Sequence, residues 1–128
     1  MDNIKINRTE RSPDIDFNFQ NNVFSIRGES YPEDVPAFFG PPISSLESYL
    51  DGVSEGNVEF NFELIYFNST SAKVMMKLFD FLDETARKGV NIAINWFYES
   101  DDDNMEELGI EFGEDLEAAA FNLKPIEA

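Results

Sequence analysis

The segment from Asn57 to Phe67 constrains the fold of this chain more than any other. Val58, Phe60, Phe62 and Leu64 alternate with Glu59, Asn61 and Glu63, the two-residue period of a strand with one buried and one solvated face. Leu64-Ile65-Tyr66-Phe67 then runs apolar without a break, which predicts burial on both faces at the C-terminal end of the strand. Asn68-Ser69-Thr70-Ser71 follows directly, a run of residue types that cap helices. Val74, Met75, Leu78, Phe81 and Leu82 then recur at helical spacing. A helix from about Ser71 to Lys88 is expected, with Gly89 just past its C-cap. Because Glu59, Asn61 and Glu63 leave part of one sheet face to solvent, the helices gather mainly on the other.

The remaining elements extend this unit. Ile4-Lys5-Ile6 predicts a short edge strand. Asp14 to Phe19 alternates strictly, Gln20-Asn21-Asn22 is turn-like, and Val23 to Arg27 is a second strand ended by Gly28. Together these read as an antiparallel hairpin. A helix covers about Val35 to Tyr49, interrupted near Gly40-Pro41-Pro42. Val90, Ile92, Ile94 and Trp96 mark another strand, Glu99 to Asp103 an acidic loop, and Met105 to Leu116 a short helix broken or ended near Gly109 and Gly113. Ala119 to Ile126 is the last strand. No repeat or low-complexity linker divides residues 1–128, which read as one domain. The fold class is α/β: a single-domain two-layer sandwich, with a mixed sheet, an N-terminal β-hairpin and βαβ crossovers.

Composition narrows the function. The chain has 26 acidic and 9 basic residues, no His, no Cys, and a formal net charge of −17. Nucleic acid and anionic membrane surfaces are poor partners, since both require clustered Lys and Arg. No apolar run approaches the roughly 20 residues of a membrane span, and Met1-Asp2-Asn3 opens a polar stretch unlike a signal peptide. A cytoplasmic location is the expectation. Without Cys, thiol chemistry and Cys zinc sites are excluded; without His, so are Ser-His-Asp catalysis and His metal ligation.

Three features remain to carry function. The hydroxyls Ser69, Thr70 and Ser71 sit where a strand passes into a helix. One of them serves as the N-cap in the plainest reading. In the functional reading one is a phosphoacceptor, since free amides and the helix dipole favour a phosphate there, with Lys73 and Lys77 placed to neutralise it or face a partner. The second feature is the acidic run Glu99-Ser100-Asp101-Asp102-Asp103. Asp101, Asp102 and Asp103 are weak candidates for Mg²⁺ or Ca²⁺, and their spacing does not match an EF-hand; the plainer reading is a solvated loop, with no cofactor. The third is the helix after Asn68, which Met75, Met76 and Phe79 make apolar over more than one face; core packing is the plainer reading, and an exposed partner patch at Met76 or Phe79 is the functional one.

Taken jointly, several blocks resemble the SiaC family of bacterial regulatory phosphoproteins. They are Ser12-Pro13, Gly28-Glu29-Ser30-Tyr31-Pro32-Glu33, Tyr66-Phe67-Asn68-Ser69-Thr70-Ser71-Ala72-Lys73, and Trp96-Phe97-Tyr98-Glu99 with Asp101-Asp102-Asp103. The resemblance spans nearly the whole chain. It implies a SpoIIAA-like or STAS-like fold and a non-enzymatic, anti-anti-sigma-like partner switch. It also implies a dedicated Ser/Thr kinase, a metal-dependent Ser/Thr phosphatase, and an effector such as a diguanylate cyclase, bound by the unphosphorylated form in biofilm and cyclic-di-GMP signalling. Asn68, Lys73, Lys77, Tyr31, Glu33, Trp96 and Tyr98 are the supporting or partner-binding residues it suggests. The family pattern reads Asn-Thr-Ser-Ser at the junction. By position Ser69 takes the acceptor place, by residue type Thr70 does, and Ser71 is the third candidate.

Two other classes compete. A carboxylate-based metal-dependent hydrolase or glycosidase would draw on the acidic loop with Trp96 and Tyr98. A constitutive protein-interaction module would use the hydroxyls only as caps, and its affinity would ignore phosphorylation.

Overall fold

The computed structural model describes residues 2–127. They form six strands, β1 (Ile4–Ile6), β2 (Asp14–Asn18), β3 (Val23–Ser30), β4 (Asn57–Phe67), β5 (Asn91–Glu99) and β6 (Ala120–Ile126), and three helices, α1 (Val35–Asp51), α2 (Ser69–Arg87) and α3 (Asp103–Gly113). The strands lie in one sheet in sequence order. The first two pairings are antiparallel and the last three parallel. This is the expected mixed sheet with an N-terminal hairpin, β1 being its edge.

Alternation puts the core on one face. Phe17, Phe24, Ile26, Phe60, Phe62, Ile94 and Trp96 are essentially inaccessible and meet Phe39, Leu46, Leu50, Met75, Leu78, Phe79 and Leu82 from the helices. The opposite face carries a row that crosses every strand in register: Lys5, Asp16, Ser25, Asn61, Asn95 and Asn122. Asn122 donates to Asn95 at 3.0 Å and Asn95 to Asn61 at 2.9 Å. The sandwich therefore has two layers, with one sheet face left uncovered. Among the described residues no helix is long and apolar enough to cross a membrane.

Four expectations need correction. First, β3 does not end at Gly28; it runs on to Ser30, because glycine accepts the φ of +118° found there. Second, the end of β4 is not buried on both faces. Gly28 pairs with Leu64 and Glu29 with Tyr66, so Ile65 is an extra residue in the ladder, a bulge that resets the alternation. Ile65 and Tyr66 are 60% and 52% exposed, while Phe67 turns back to pack on Trp96 and Phe112. Third, α1 is continuous through Pro41 and Pro42. An interior proline costs about 3 kcal/mol, but Val35, Phe39, Pro42, Leu46 and Leu50 form one buried stripe that spans the break. Fourth, Gly109 does not break α3. It lets the helix lie on Trp96: a Cβ there would fall 2.5 Å from the indole.

Candidate functional site

The junction between β4 and α2 is built by Asn68, and the expectation that a hydroxyl caps the helix is corrected. The Asn68 side-chain oxygen accepts the Ser71 amide at 2.9 Å, and its carbonyl accepts the Ala72 amide at 2.9 Å. The helix therefore starts at Ser69, two residues earlier than expected. Of the first-turn amides, those of Ser69 and Thr70 are left without an acceptor inside the helix. The Ser69 and Thr70 side chains are exposed on this first turn.

Ser71 differs sharply from them. It is fully buried, and Ser30 donates its hydroxyl to the Ser71 Oγ at 2.9 Å. The Asn68 amide also donates to the Ser30 carbonyl at 3.0 Å. The end of β3 thus grips the start of α2 twice. Two small hydroxyls let the strand and helix approach closely and satisfy each other, which buried polar groups require. A kinase would reach Ser71 only by opening this contact, so the accessible hydroxyls are Ser69 and Thr70.

Lys73 and Lys77 are exposed along the same helix face, one and two turns on, with Met76 between them at 53% exposed. Phe79, the alternative patch residue, is buried at 2%. Lys77 also borders an apolar groove of about 360 Å³ between α1 and α2, floored by Phe39, Ile43, Val74 and Phe81. Tyr31 packs edge-on against Tyr66 at 5.8 Å, and its amide donates to the Arg11 carbonyl. Glu33 is exposed on the turn before α1, where the Asp34 side chain caps the Ala37 amide at 3.1 Å.

Trp96 and Tyr98 lie apart from this surface. Trp96 is 1% exposed and donates its indole N–H to the Met105 carbonyl at 3.1 Å; Tyr98 is 8% exposed and donates to Glu106 at 3.1 Å. They support α3 from within and offer nothing to a partner directly. Burial, then the Glu106 hydrogen bond and charge, pushes the Tyr98 hydroxyl above its ordinary value of 10.0. Asp102 caps α3 by accepting the Met105 amide at 3.0 Å, and Asp103 is its first residue. Asp101, Asp102 and Asp103 thus serve a helix start and the loop before it. Among the described residues no three carboxylates converge as a cation would require.

Sequence reasoning missed Ser30, Ile65 and Asp83. Ser30 sits in the buried alternation of β3, where its small size was the signal. Ile65 continues the alternation of Glu59, Asn61 and Glu63 onto the open face, a signal the apolar run hid. Asp83, 4% exposed, accepts the amides of Glu117, Ala118 and Ala119 and pairs with Arg87 at 3.1 Å. Burial alone would raise its carboxyl, but the backbone donors and the Arg87 charge together hold it below the ordinary value of 3.8.

Comparison with known proteins matches this architecture. The description "SiaC family regulatory phosphoprotein" fits residues 6–126. An uncharacterized protein of Pseudomonas aeruginosa (strain UCBPP-PA14) is 34% identical over 116 residues, covering 90% of both chains. The crystal structure of apo-SiaC from Pseudomonas aeruginosa superposes with a TM-score of 0.87 at 32% identity, over 97% of this chain and 99% of that one. A chain in the crystal structure of the diguanylate cyclase SiaD in complex with its activator SiaC, also from Pseudomonas aeruginosa, superposes with a TM-score of 0.86 at 30% identity, over 94% and 98%. The match over residues 6–126, with relatives above 30% identity along nearly the whole chain, makes this chain a member of the SiaC family of regulatory phosphoproteins.

Proposed function

We propose that this protein is a non-enzymatic, cytosolic partner switch, and that Ser69 is its phosphoacceptor. In its unmodified form it binds and activates a diguanylate cyclase; in the similar complex from Pseudomonas aeruginosa, SiaC is the activator of the diguanylate cyclase SiaD. A Ser/Thr kinase adds the phosphate and a metal-dependent phosphatase removes it. The observation that carries this reading is the α2 start. Ser69 is exposed directly after the capping Asn68, beside two amides without an intrahelical acceptor, on a turn clamped by Ser30 and Ser71.

The chemistry follows from charge. A phosphate adds about 1.5–2 negative charges and three strong acceptors. At a helix N-terminus that charge is favourable for the fold, and Lys73 lies one turn away to pair with it. The domain therefore stays folded when modified. What changes is the α2 face. Lys73 and Lys77 offer positive charge to an acidic partner surface, and a phosphate at Ser69 neutralises Lys73 and repels that surface.

Intact-mass spectrometry with site mapping, on protein from its native cell, tests this directly. One phosphate on Ser69 supports the assignment, and one on Thr70 moves it a single residue. If a Ser69→Ala, Thr70→Ala double variant is still phosphorylated normally by the cognate kinase, the site is wrong. If modified protein binds the cyclase as tightly as unmodified protein, the switch is wrong.

A further inference from the structure

The shift in pairing between Gly28 and Glu29 decides which residue of β3 stands beside the start of α2. Gly28 pairs with Leu64, but Glu29 pairs with Tyr66 and Ser30 with Phe67. A ladder without the shift would set Ser30 against Tyr66, one residue short of the junction. With the shift, the Ser30 carbonyl accepts the Asn68 amide at 3.0 Å, and the Ser30 hydroxyl donates to the Ser71 Oγ at 2.9 Å. Bulges re-aim the residues around them, and this one delivers Ser30 to the acceptor turn.

Ser30 is also held from the other side. The peptide unit between Ser30 and Tyr31 donates its N–H to the Arg11 carbonyl at 2.6 Å, while its C=O takes the Asn68 amide. Ser30 and Ser71 are each 0% exposed. Stability does not call for this hydroxyl pair, because two apolar groups of the same shape in its place are nearly neutral. Its effect is on the choice among three adjacent hydroxyls. Ser69 and Thr70 are exposed as the turn stands. Ser71 reaches solvent only when the first turn opens, and opening breaks the bond to Ser30 and the Asn68 cap together.

We propose that Ser30 is the specificity-determining residue of this modification site. By holding Ser71 inside, it confines the phosphate to Ser69 and Thr70. A phosphate on Ser71 would sit in the packed seam between β3 and α2, where a double negative charge has no water. Such a protein would lose the turn rather than switch a surface. The rate at which a withheld group is modified follows the population of the open state, when opening and closing are fast. Removing the Ser30 hydroxyl leaves the Ser71 oxygen without its donor and raises that population. The inference rests on the switch reading and deepens it.

Hydrogen exchange and phosphosite mapping test it on the full chain, with ATP and a lysate of the native cell supplying the kinase. The Ser71 and Ala72 amides both donate to Asn68. In Ser30→Ala they should exchange about tenfold faster, and the ratio of phosphate on Ser71 to phosphate on Ser69 and Thr70 should rise by about the same factor. Thermal melts confirm that the variant folds. If it does not, Ser30→Cys decides, since it keeps the volume and weakens the donor; both readouts should move in the same direction. Unchanged exchange, or faster exchange with no gain of phosphate on Ser71, overturns the inference and leaves the switch reading standing. So does a chain with Ser30 intact that takes phosphate on Ser71 as readily as on Ser69. No phosphate on any of the three hydroxyls of that chain overturns both readings.

Discussion

Asn95 and Trp96 are neighbours in β5 and face opposite ways. Trp96 enters a layer of stacked and edge-on rings, with Phe62 at 5.8 Å, Phe112 at 5.5 Å and Phe79 at 6.0 Å. Asn95 enters a ladder of amides that bond one another across three strands. The covered face carries the stability of the sheet through apolar burial. The open face fulfils its hydrogen bonds side to side and has no second layer over it. The same alternation therefore frees one face of the molecule from folding duty and puts Ile65 on it, and the β4 bulge adds Tyr66.

The largest effect should come from the covered face. Trp96→Ala removes the ring at the centre of the aromatic cluster and the hydrogen bond that anchors Met105. A cost of about 3–5 kcal/mol is expected, a large share of a domain's total of about 5–15 kcal/mol, read as a lower urea midpoint. Gly109→Ala attacks the same contact from the helix side, since its Cβ would fall 2.5 Å from the indole. About 1–3 kcal/mol is expected. If Gly109→Ala melts like the unmodified protein, α3 rests less closely on the sheet than described.

Asp83 tests how the open edge of the helix layer is tied down. Its carboxylate gathers three backbone amides of the loop before β6. Asp83→Asn should cost about 1–3 kcal/mol at neutral pH. The sign with pH follows from the lowered carboxyl. The stabilisation is full above the ordinary value of 3.8 and is lost as pH falls below it through the folded value. Urea titrations of both proteins should therefore converge as pH drops from 5 toward 2, each pH an approximate set point chosen from that linkage. A gap that stays constant would assign the effect to shape rather than charge.

Phosphorylation itself should move stability little. A phosphate at the α2 start gains about 0.3–1 kcal/mol from the helix dipole. The modified protein should melt at or slightly above the unmodified one, with an unchanged far-ultraviolet dichroism spectrum. Marked unfolding on modification would replace surface repulsion with a refolding mechanism.

Most of the fold was legible because period-two and helical patterns report burial directly. The bounds Asn57–Phe67, the hairpin, the helix order and the single covered face all follow from side-chain alternation along one segment at a time. What was not legible depends on contacts between segments. The apolar run Leu64 to Phe67 reads as buried until the shift in pairing between Gly28 and Glu29, far away in sequence, turns Tyr66 outward beside Ile65 and Phe67 inward. Ser71 reads as one hydroxyl among three until Ser30 is found across from it, 41 residues away. Pro41 and Pro42 read as a break because local propensity is visible and the stripe that outweighs it is tertiary. The junction Asn68-Ser69-Thr70-Ser71 was found from sequence, but which of its residues caps, which is buried and which is exposed required the fold.

The smallest expected effect sharpens the contrast between the faces most. Asn122→Ala removes one exposed amide at the end of the open-face row, together with its 3.0 Å bond to Asn95. If the row only keeps the uncovered face wet and paired, the loss should stay within about 0.5 kcal/mol, because water replaces the missing donor at an exposed edge strand. Asn61 is the internal control. It is 5% exposed although it faces the open side, and it both donates to Glu59 and accepts from Asn95. Asn61→Ala should cost about 1–3 kcal/mol, since Asn95 then loses its partner where water enters less freely. Equal costs at positions 61 and 122 would show that burial does not grade the ladder, and the division of labour between the two sheet faces would then have to be redrawn.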